Sequence, residues 1–220
     1  MSISTALEDH TKKKTLVATE RHRPDVVLER EMWKKLQEVI DLKRFVFIDE
    51  TWAKTNLTPL YGWAEIGKRV LDAVPHGHWT TTTFLAALRH DCLTAPMVVD
   101  GAINGELFLA YVEQILLPTL QEGDIVVMDN LTSHKVAGVK EAIESVGAQV
   151  LYLPPYSPDL NPIENVFSKV KTMLRKWKLR TMEELWNKIR ELCDIFLPDE
   201  CKNYVRNAGY HEKTTVQRKS

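Results

Sequence analysis

The chain has 220 residues, of which 44% are apolar and 27% are charged, and this length and balance are typical of a single globular core. The formal net charge of -1 gives no global attraction to nucleic acid or to a membrane surface, so any charged binding site must be local. Three scattered cysteines are too few for a disulfide framework or a zinc site, and the apolar runs are shorter than the roughly 18 residues of a membrane span. The first residues mix acids and lysines where a signal peptide would be apolar, so we expect an intracellular protein.

The first half of the chain predicts one helix and a group of strands. A helix is expected over residues 24–42, because apolar residues recur there at helical spacing after a proline. Residues 44–50, RFVFIDE, form a compact apolar run that ends in two acids, as in a buried strand that emerges at its carboxyl end. Aromatic and β-branched residues predict further strands at 61–67, 78–88 and 96–101.

The second half alternates between helices and strands. The pattern predicts helices near 105–118, 135–145, 162–178 and 181–197, and strands at 125–128 and 149–153, with a frayed carboxy-terminal end. Strands followed by such an alternation predict an α/β domain with a mixed sheet flanked by helices. In domains of this kind, functional sites gather at the carboxyl ends of the strands.

Three acids lie at positions that such a sheet would bring together. Asp49 and Asp129 each end a predicted strand, and Glu164 lies near the start of the helix after the last strand. Either aspartate alone is more simply interpreted as a polar residue leaving the core, or as a helix cap. The three together favour a metal site, because carboxylates held close together repel each other and need a cation. Their hard oxygen atoms suit Mg²⁺ or Mn²⁺, and two such ions can stabilise both oxygens of a phosphoryl displacement.

Three sequence blocks resemble the motifs of mariner-type DDE transposases, in the bacterial insertion-sequence branch. These blocks are FIDE at 47–50, VVMDN followed by SHK within 126–135, and YLPPYSPDLNPIENVFSKVK at 152–171. Glu164 also follows Asp129 by 35 positions, as in the branch of the family whose third acid is glutamate.

The resemblance implies a ribonuclease-H-like fold and an enzyme that cleaves and transfers the DNA strands of an insertion sequence. By position, Asp49, Asp129 and Glu164 would be its catalytic and metal-binding triad, with two Mg²⁺ (or Mn²⁺) ions as cofactor. A water and then a DNA 3′-hydroxyl would attack the phosphodiester, without a protein nucleophile. The implied partner is double-stranded DNA, both transposon ends and target, bound by a homo-oligomer or together with a helix-turn-helix-bearing half of the transposase. The implied location is the cytoplasm, at the nucleoid and away from membranes.

The helix after Glu164 carries a basic row beside its apolar stripe. Lys171, Arg175 and Lys178 follow the glutamate at helical spacing. A solvated charged face is the usual interpretation of such a row, but its continuity with the third acid favours contact with a DNA backbone. His134, close after the second acid, is interpreted either as a residue of the metal or DNA site or as a surface cap.

Three neighbours of the acids receive simpler interpretations. Glu50 is interpreted as a solvated neighbour of the first acid instead of a fourth ligand. Trp52 and Trp63 are interpreted as core residues, although either tryptophan is also a candidate DNA contact.

The segment before the third acid is rich in proline, which fixes its own φ and restricts the residue before it. We expect Asn161 to cap the following helix, with Pro162 as its first residue and Glu164 as its third. The prolines would then fix the position of the acid.

The chain departs from the family pattern at its start. Only 48 residues precede Asp49, where members of the family usually carry paired helix-turn-helix modules. We therefore expect a linker and amino-terminal helix over 1–43, the ribonuclease-H-like DDE domain over 44–180, and a carboxy-terminal helix and tail over 181–220. A non-catalytic truncated transposase that oligomerises with or regulates the full-length protein is the alternative, and a general ribonuclease-H-like nuclease is a third hypothesis.

Overall fold

A mixed five-stranded sheet forms the centre of the molecule, which is a computed structural model describing residues 17–59, 61–73 and 81–212. Its strands are β1 (Phe45–Lys54), β2 (Thr81–Leu88), β3 (Leu93–Asp100), β4 (Ile125–Met128) and β5 (Gln149–Tyr152). Their order across the sheet is β3-β2-β1-β4-β5. The first three strands are antiparallel neighbours, whereas β4 pairs in parallel with both β1 and β5.

Helices cover both faces of this sheet. Within the described ranges they are α1 (Pro24–Val39), α2 (Gly105–Tyr111), α3 (Val139–Ser145), α4 (Ile163–Trp177), α5 (Met182–Cys193) and α6 (Pro198–Asn207). Residues of α1, α4, α5 and α6 pack with Phe45 and Phe47 in one buried cluster. Residues of α2 and α3 pack with Val46 and Ile48 in the other. Neighbouring side chains of a strand face opposite sides of the sheet. Since helices cover both sides, the first four residues of β1 are all apolar. The predicted mixed sheet flanked by helices is confirmed.

The register of β1 leaves room for a site beside its second half. The strand pairs with β4 only over Phe45–Phe47, whereas its pairing with β2 continues to Lys54. Beyond Phe47, the side of β1 that faces away from β2 therefore has no ladder partner among the described strands. Asp49 lies in this unpaired part, and Asp129 directly follows β4 on the same side.

One predicted strand is absent from the structure. Residues 61–67 form no strand, and Trp63 is fully exposed, so its interpretation as a core residue is also wrong. Tyr61 and Ile66 are exposed as well, which shows that the apolar residues of this segment have no neighbours to pack against within the described structure. The strand predicted from residue 78 begins at Thr81, and residues 78–80 lie outside the described ranges.

Helix boundaries also differ from the predictions. The helix predicted over 135–145 begins only at Val139, because a 3₁₀ turn (Thr132–Lys135) and Gly138, with φ of 96°, precede it. The helix predicted over 105–118 changes pitch after Tyr111 into a short π-helical turn. Helix α6 was not predicted. The boundaries of the three-part domain division stay a prediction, although α1, α5 and α6 all contribute to the core that α4 covers.

No helix in the described part of the chain combines the length and the apolar composition that crossing a bilayer requires.

Candidate active site

One cavity of about 490 Å³ brings together the three acids. Asp49 reaches it from β1, Asp129 from the end of β4 and Glu164 from the first turn of α4. The rest of the lining comes largely from residues 153–161, the proline-rich loop between β5 and α4. The structure thus unites the three acids that the sequence predicts as one site. Asp129 follows the carboxyl end of β4, whereas Asp49 lies within β1, which continues to Lys54 instead of ending at the acids as predicted.

Asp49 is the most deeply buried of the three acids, with 7% of its surface exposed. Its Oδ1 accepts a hydrogen bond from the backbone N–H of Glu50 (2.8 Å), and its Oδ2 accepts one from Nδ2 of Asn161 (2.9 Å). Burial, followed by the nearby charges of Asp129 and Glu164, raises the pKa of Asp49 to about 8. In the absence of a cation, two hydrogen bonds therefore do not compensate for the burial of this charge.

A buried histidine connects the second acid to a fourth one. His134 has no exposed surface; its Nε2 lies 2.7 Å from Oε2 of Glu50, and its Nδ1 lies 2.7 Å from Oδ1 of Asp129. Burial alone would lower the pKa of His134, but the two carboxylates outweigh burial and raise it to about 9. The charged ring is therefore hydrogen-bonded to Glu50 on β1 and lies in close ionic contact with Asp129.

Two sequence interpretations are corrected by this arrangement. Glu50 is not a solvated neighbour of Asp49, because its half-buried carboxylate is bound to His134. His134 is not a direct DNA contact, because its ring is enclosed and lies against Phe108, with the ring centroids 4.3 Å apart. The sequence indicated a role for His134 through its place in the SHK block, five residues after Asp129. It did not indicate the partner Glu50, because that residue lies on β1, far away along the chain.

Glu164 lies at the rim of the cavity. Glu164 is exposed as a residue, yet the pKa of its carboxyl is raised. Partial desolvation is the largest cause; Lys171 opposes the shift, and Asp129 reinforces it. The third acid is thus the one of the three that solvent reaches most easily, and it is the one with a basic partner on its own helix.

Asn161 does not cap α4, contrary to the prediction. The regular helix begins at Ile163, and Pro162, with φ of −66° and ψ of −24°, already has helical geometry. The carboxamide of Asn161 is instead turned to Asp49, and its backbone is extended. Glu164 is consequently the second residue of α4, and its N–H bonds the backbone carbonyl of Asn161 at 3.3 Å.

The proline-rich loop is anchored by α1. Arg30, only 7% exposed, donates from Nη1 to Oγ of Ser157 (2.6 Å) and binds both carboxylate oxygens of Asp159. The hydroxyl of Tyr210, near the end of the described chain, donates to the carbonyl of Leu160 (2.9 Å). Segments near both ends of the chain therefore restrain the loop that carries Asn161 to the site.

The basic row of α4 begins beside the acids. Lys171 is half-buried, and its Nζ lies 4.9 Å from the ring centroid of Trp52. Burial lowers the pKa of Lys171, and the charge of Glu164 opposes this effect. Trp52 is 53% exposed, so its interpretation as a core residue is wrong.

The other two basic residues lie further along α4. Arg175 is half-buried and close enough to Lys171 to contribute to the low pKa of that lysine. Lys178 ends the helix with φ of 51° and forms an ion pair with Asp72. Contact of these residues and Lys171 with DNA stays a prediction.

The cavity has the donors that a hard divalent cation requires, although they do not form a closed set. Among the described residues, no group of three Asp, Glu, His or Cys side chains lies close enough to hold a metal ion together. The carboxyls of Asp49 and Glu164 nevertheless have raised pKa values, to which the charge of Asp129 contributes. A cation between these acids would offset the repulsion, and carboxylate oxygens are the ligands that Mg²⁺ and Mn²⁺ prefer. The residues therefore fit such an ion.

Comparisons with known proteins agree with this geometry. A family model described as "DDE superfamily endonuclease" matches residues 44–186. The structure is similar to the Mos1 strand transfer complex, with a TM-score of 0.75 and 17% identity over 92% of this chain and 64% of that one. It is similar to the Mos1 mariner paired-end complex with Mn, with a TM-score of 0.73 and 17% identity over 92% of this chain and 64% of that one. It is also similar to the catalytic domain of Mos1 mariner transposase, with a TM-score of 0.58 and 15% identity over 91% of this chain and 99% of that one.

At these identities the likeness concerns the fold, and the predicted ribonuclease-H-like fold is confirmed. The chain spans 64% of the transposase chains in the two complexes. No curated protein matches it.

Proposed function

The chain belongs to the DDE superfamily endonucleases, and from this premise we propose that it is the catalytic domain of a mariner-type transposase. It would cleave DNA at the ends of an insertion sequence and transfer the strands to a target, with Mg²⁺ or Mn²⁺ as cofactor. The observation that carries the proposal is the single cavity lined by Asp49, Asp129 and Glu164, in which burial and the charges of the other two acids raise the pKa of Asp49.

Each residue of the site has a distinct task in this proposal. Asp49, Asp129 and Glu164 would hold two divalent ions, which when bound activate the attacking oxygen and stabilise the leaving oxygen of the phosphodiester. His134 fixes the orientation of Asp129, because its other nitrogen is bound to Glu50. Lys171, beside Glu164, attracts the phosphate backbone towards the acids.

The proposed partner is double-stranded DNA, both transposon ends and target. The similar Mos1 structures are a paired-end complex and a strand transfer complex, which supports a chain that acts on paired ends within an oligomer or beside a helix-turn-helix-bearing half. The motif blocks support the bacterial insertion-sequence branch, and with it a location at the nucleoid in the cytoplasm. The basic row Lys171, Arg175 and Lys178 is the proposed path of the DNA backbone along α4.

DNA cleavage by purified protein tests the proposal. With Mn²⁺ or Mg²⁺, the chain should nick or join DNA that carries the element's ends, and removing the ions with EDTA should abolish this. Asp129→Asn should lose activity, whereas the matched control Asp100→Asn, an exposed aspartate at the end of β3 and outside the cavity, should retain it. Equal activity of the wild type and Asp129→Asn would sink the proposal. A wild type without any cleavage that co-purifies with a longer transposase would indicate a regulatory chain instead.

A further inference from the structure

The carboxamide of Asn161 has one end bound and the other end free. Only 3% of the residue is exposed, and it lines the cavity of the three acids. Its Nδ2 donates to Oδ2 of Asp49, while its Oδ1 has no hydrogen-bond partner within the described structure. Buried acceptors of this kind are uncommon, because each costs about 1–3 kcal/mol when its hydration is lost without compensation.

The orientation of this amide follows from the chemistry of its partner. The NH₂ group of Asn161 faces Asp49, and this orientation suits the ionised carboxylate that a bound cation favours, because an ionised carboxylate only accepts hydrogen bonds. Exchanging the two ends would place an oxygen against an oxygen. The free acceptor is therefore a consequence of holding Asp49.

The backbone gives Asn161 little freedom to find another partner. A 3₁₀ turn (Pro158–Leu160) precedes it, and Pro162 follows with its ring-restricted φ. The Tyr210 hydroxyl also fixes the carbonyl of Leu160. The carboxamide thus remains at the cavity wall whether or not its oxygen is satisfied.

We propose that Asn161 is a positioning residue of the cation site, which holds Asp49 through Nδ2 so that this carboxylate can bind a divalent cation. The hydrogen bond of 2.9 Å fixes the orientation of Asp49 at the cavity wall, as the hydrogen-bond partners of metal ligands generally do. The inference rests on the proposed metal dependence and adds a residue that is neither acidic nor part of the predicted triad.

Calorimetric titration of Mn²⁺ into protein stripped with EDTA tests this role without reference to activity. Asn161→Leu, of similar size and without polar atoms, should bind Mn²⁺ about 10–100-fold more weakly, as is typical when the partner of a metal ligand is removed. Asn161→Ser, whose hydroxyl both donates and accepts, should lose less. Asn165→Leu is the matched control, because Asn165 lies in the first turn of α4, exposed and outside the cavity lining, and the Mn²⁺ affinity of this variant should equal that of the wild type.

The unfolding free energy of each metal-free variant separates a structural role from a role in the site. If Asn161 acts only in packing, the metal-free variants lose stability while the folded protein keeps its Mn²⁺ affinity, and the inference is overturned. If Asn161→Leu does not fold, the affinity of Asn161→Ser decides: a value equal to the wild type contradicts the inference. A wild type that binds no Mn²⁺ contradicts the proposed metal dependence itself, which is a different failure.

Discussion

Replacing Asp49 with asparagine should stabilise the metal-free protein, although it removes a proposed ligand. Burial and the neighbouring Asp129 and Glu164 raise the pKa of Asp49 from 3.8 to about 8. In the unfolded chain the same carboxyl is ionised at neutral pH, so folding must either bind a proton or bury a charge. Asparagine carries no charge in either state and avoids this cost.

The size and the pH dependence of the effect follow from linkage. One pKa unit corresponds to about 1.4 kcal/mol, so a carboxyl raised to about 8 costs the fold about 4 kcal/mol at pH 7. Asp49 accepts hydrogen bonds from the N–H of Glu50 and from Nδ2 of Asn161. The NH₂ group of an asparagine at this position would face one of these two donors, and the loss of that hydrogen bond costs about 1–3 kcal/mol. The expected net gain of Asp49→Asn at pH 7 is therefore about 1–3 kcal/mol.

For a carboxyl with a raised folded pKa, stability is lost as pH rises from the unfolded pKa to the folded pKa. Asp49→Asn should thus be no more stable than the wild type near pH 4, where only the cost of its mismatched hydrogen bond remains, gain on the wild type up to about pH 8 and then keep a constant advantage.

Urea denaturation in EDTA across this pH range measures the difference. Asp100→Asn, on the exposed end of β3, is the control and should leave the unfolding free energy unchanged. Saturating Mn²⁺ should reverse the order, because only the wild type gains fully from a ligand that binds the folded state. A metal-free variant that is equal to or less stable than the wild type at pH 8 would refute the reasoning, since it would mean that the buried carboxylate is already compensated.

Three further predictions concern the loop that carries Asn161 and the third acid. Arg30→Met should lower the unfolding free energy by about 1–3 kcal/mol, because buried Ser157 loses a donor while the exposed Asp159 keeps Arg21 as a partner; since Arg30 holds the pKa of Asp159 low against the effect of burial, the loss measured in urea should shrink as pH falls through that pKa. Tyr210→Phe should cost about 1–3 kcal/mol in urea denaturation, because the carbonyl of Leu160 loses its donor, and an unchanged midpoint would contradict this. Pro162→Gly should reduce metal-dependent cleavage more than it reduces the thermal midpoint, because it loosens the approach to α4, and the reverse order of effects would count against a positioning role.

Local sequence was sufficient for the elements on which the site is built. The apolar runs that became β1 and β4 are buried on both faces, so they read as continuous hydrophobic segments that end in acids. The third acid was found from its motif and spacing, and the parallel pairing of β1 and β4 then explains why Asp49 and Asp129 lie close together. These features depend on periodicity and strand order, which a sequence displays directly.

Side-chain partners could not be predicted in the same way, because they depend on which distant segments pack together. Asn161 was assigned to the nearest structural task, capping its own helix, whereas its partner Asp49 is 112 residues earlier in the chain. His134 and Glu50 are separated by 84 residues and meet only because α2, β1 and the turn after β4 enclose the ring. Trp52 has the composition of a core residue, but the sheet ends beside it and leaves it exposed.

The sequence by itself determined β1, β4, β5 and α4, the elements around the site, and it singled out the three acids, since these features depend on local hydrophobic patterns and on a specific motif. Only the tertiary structure decided how those acids are held: Asp49 by an amide from the proline-rich loop, and Asp129 by a buried imidazole. The physical reason is that a buried polar group must find a partner wherever the packed chain provides one, and the distance along the sequence does not constrain that choice.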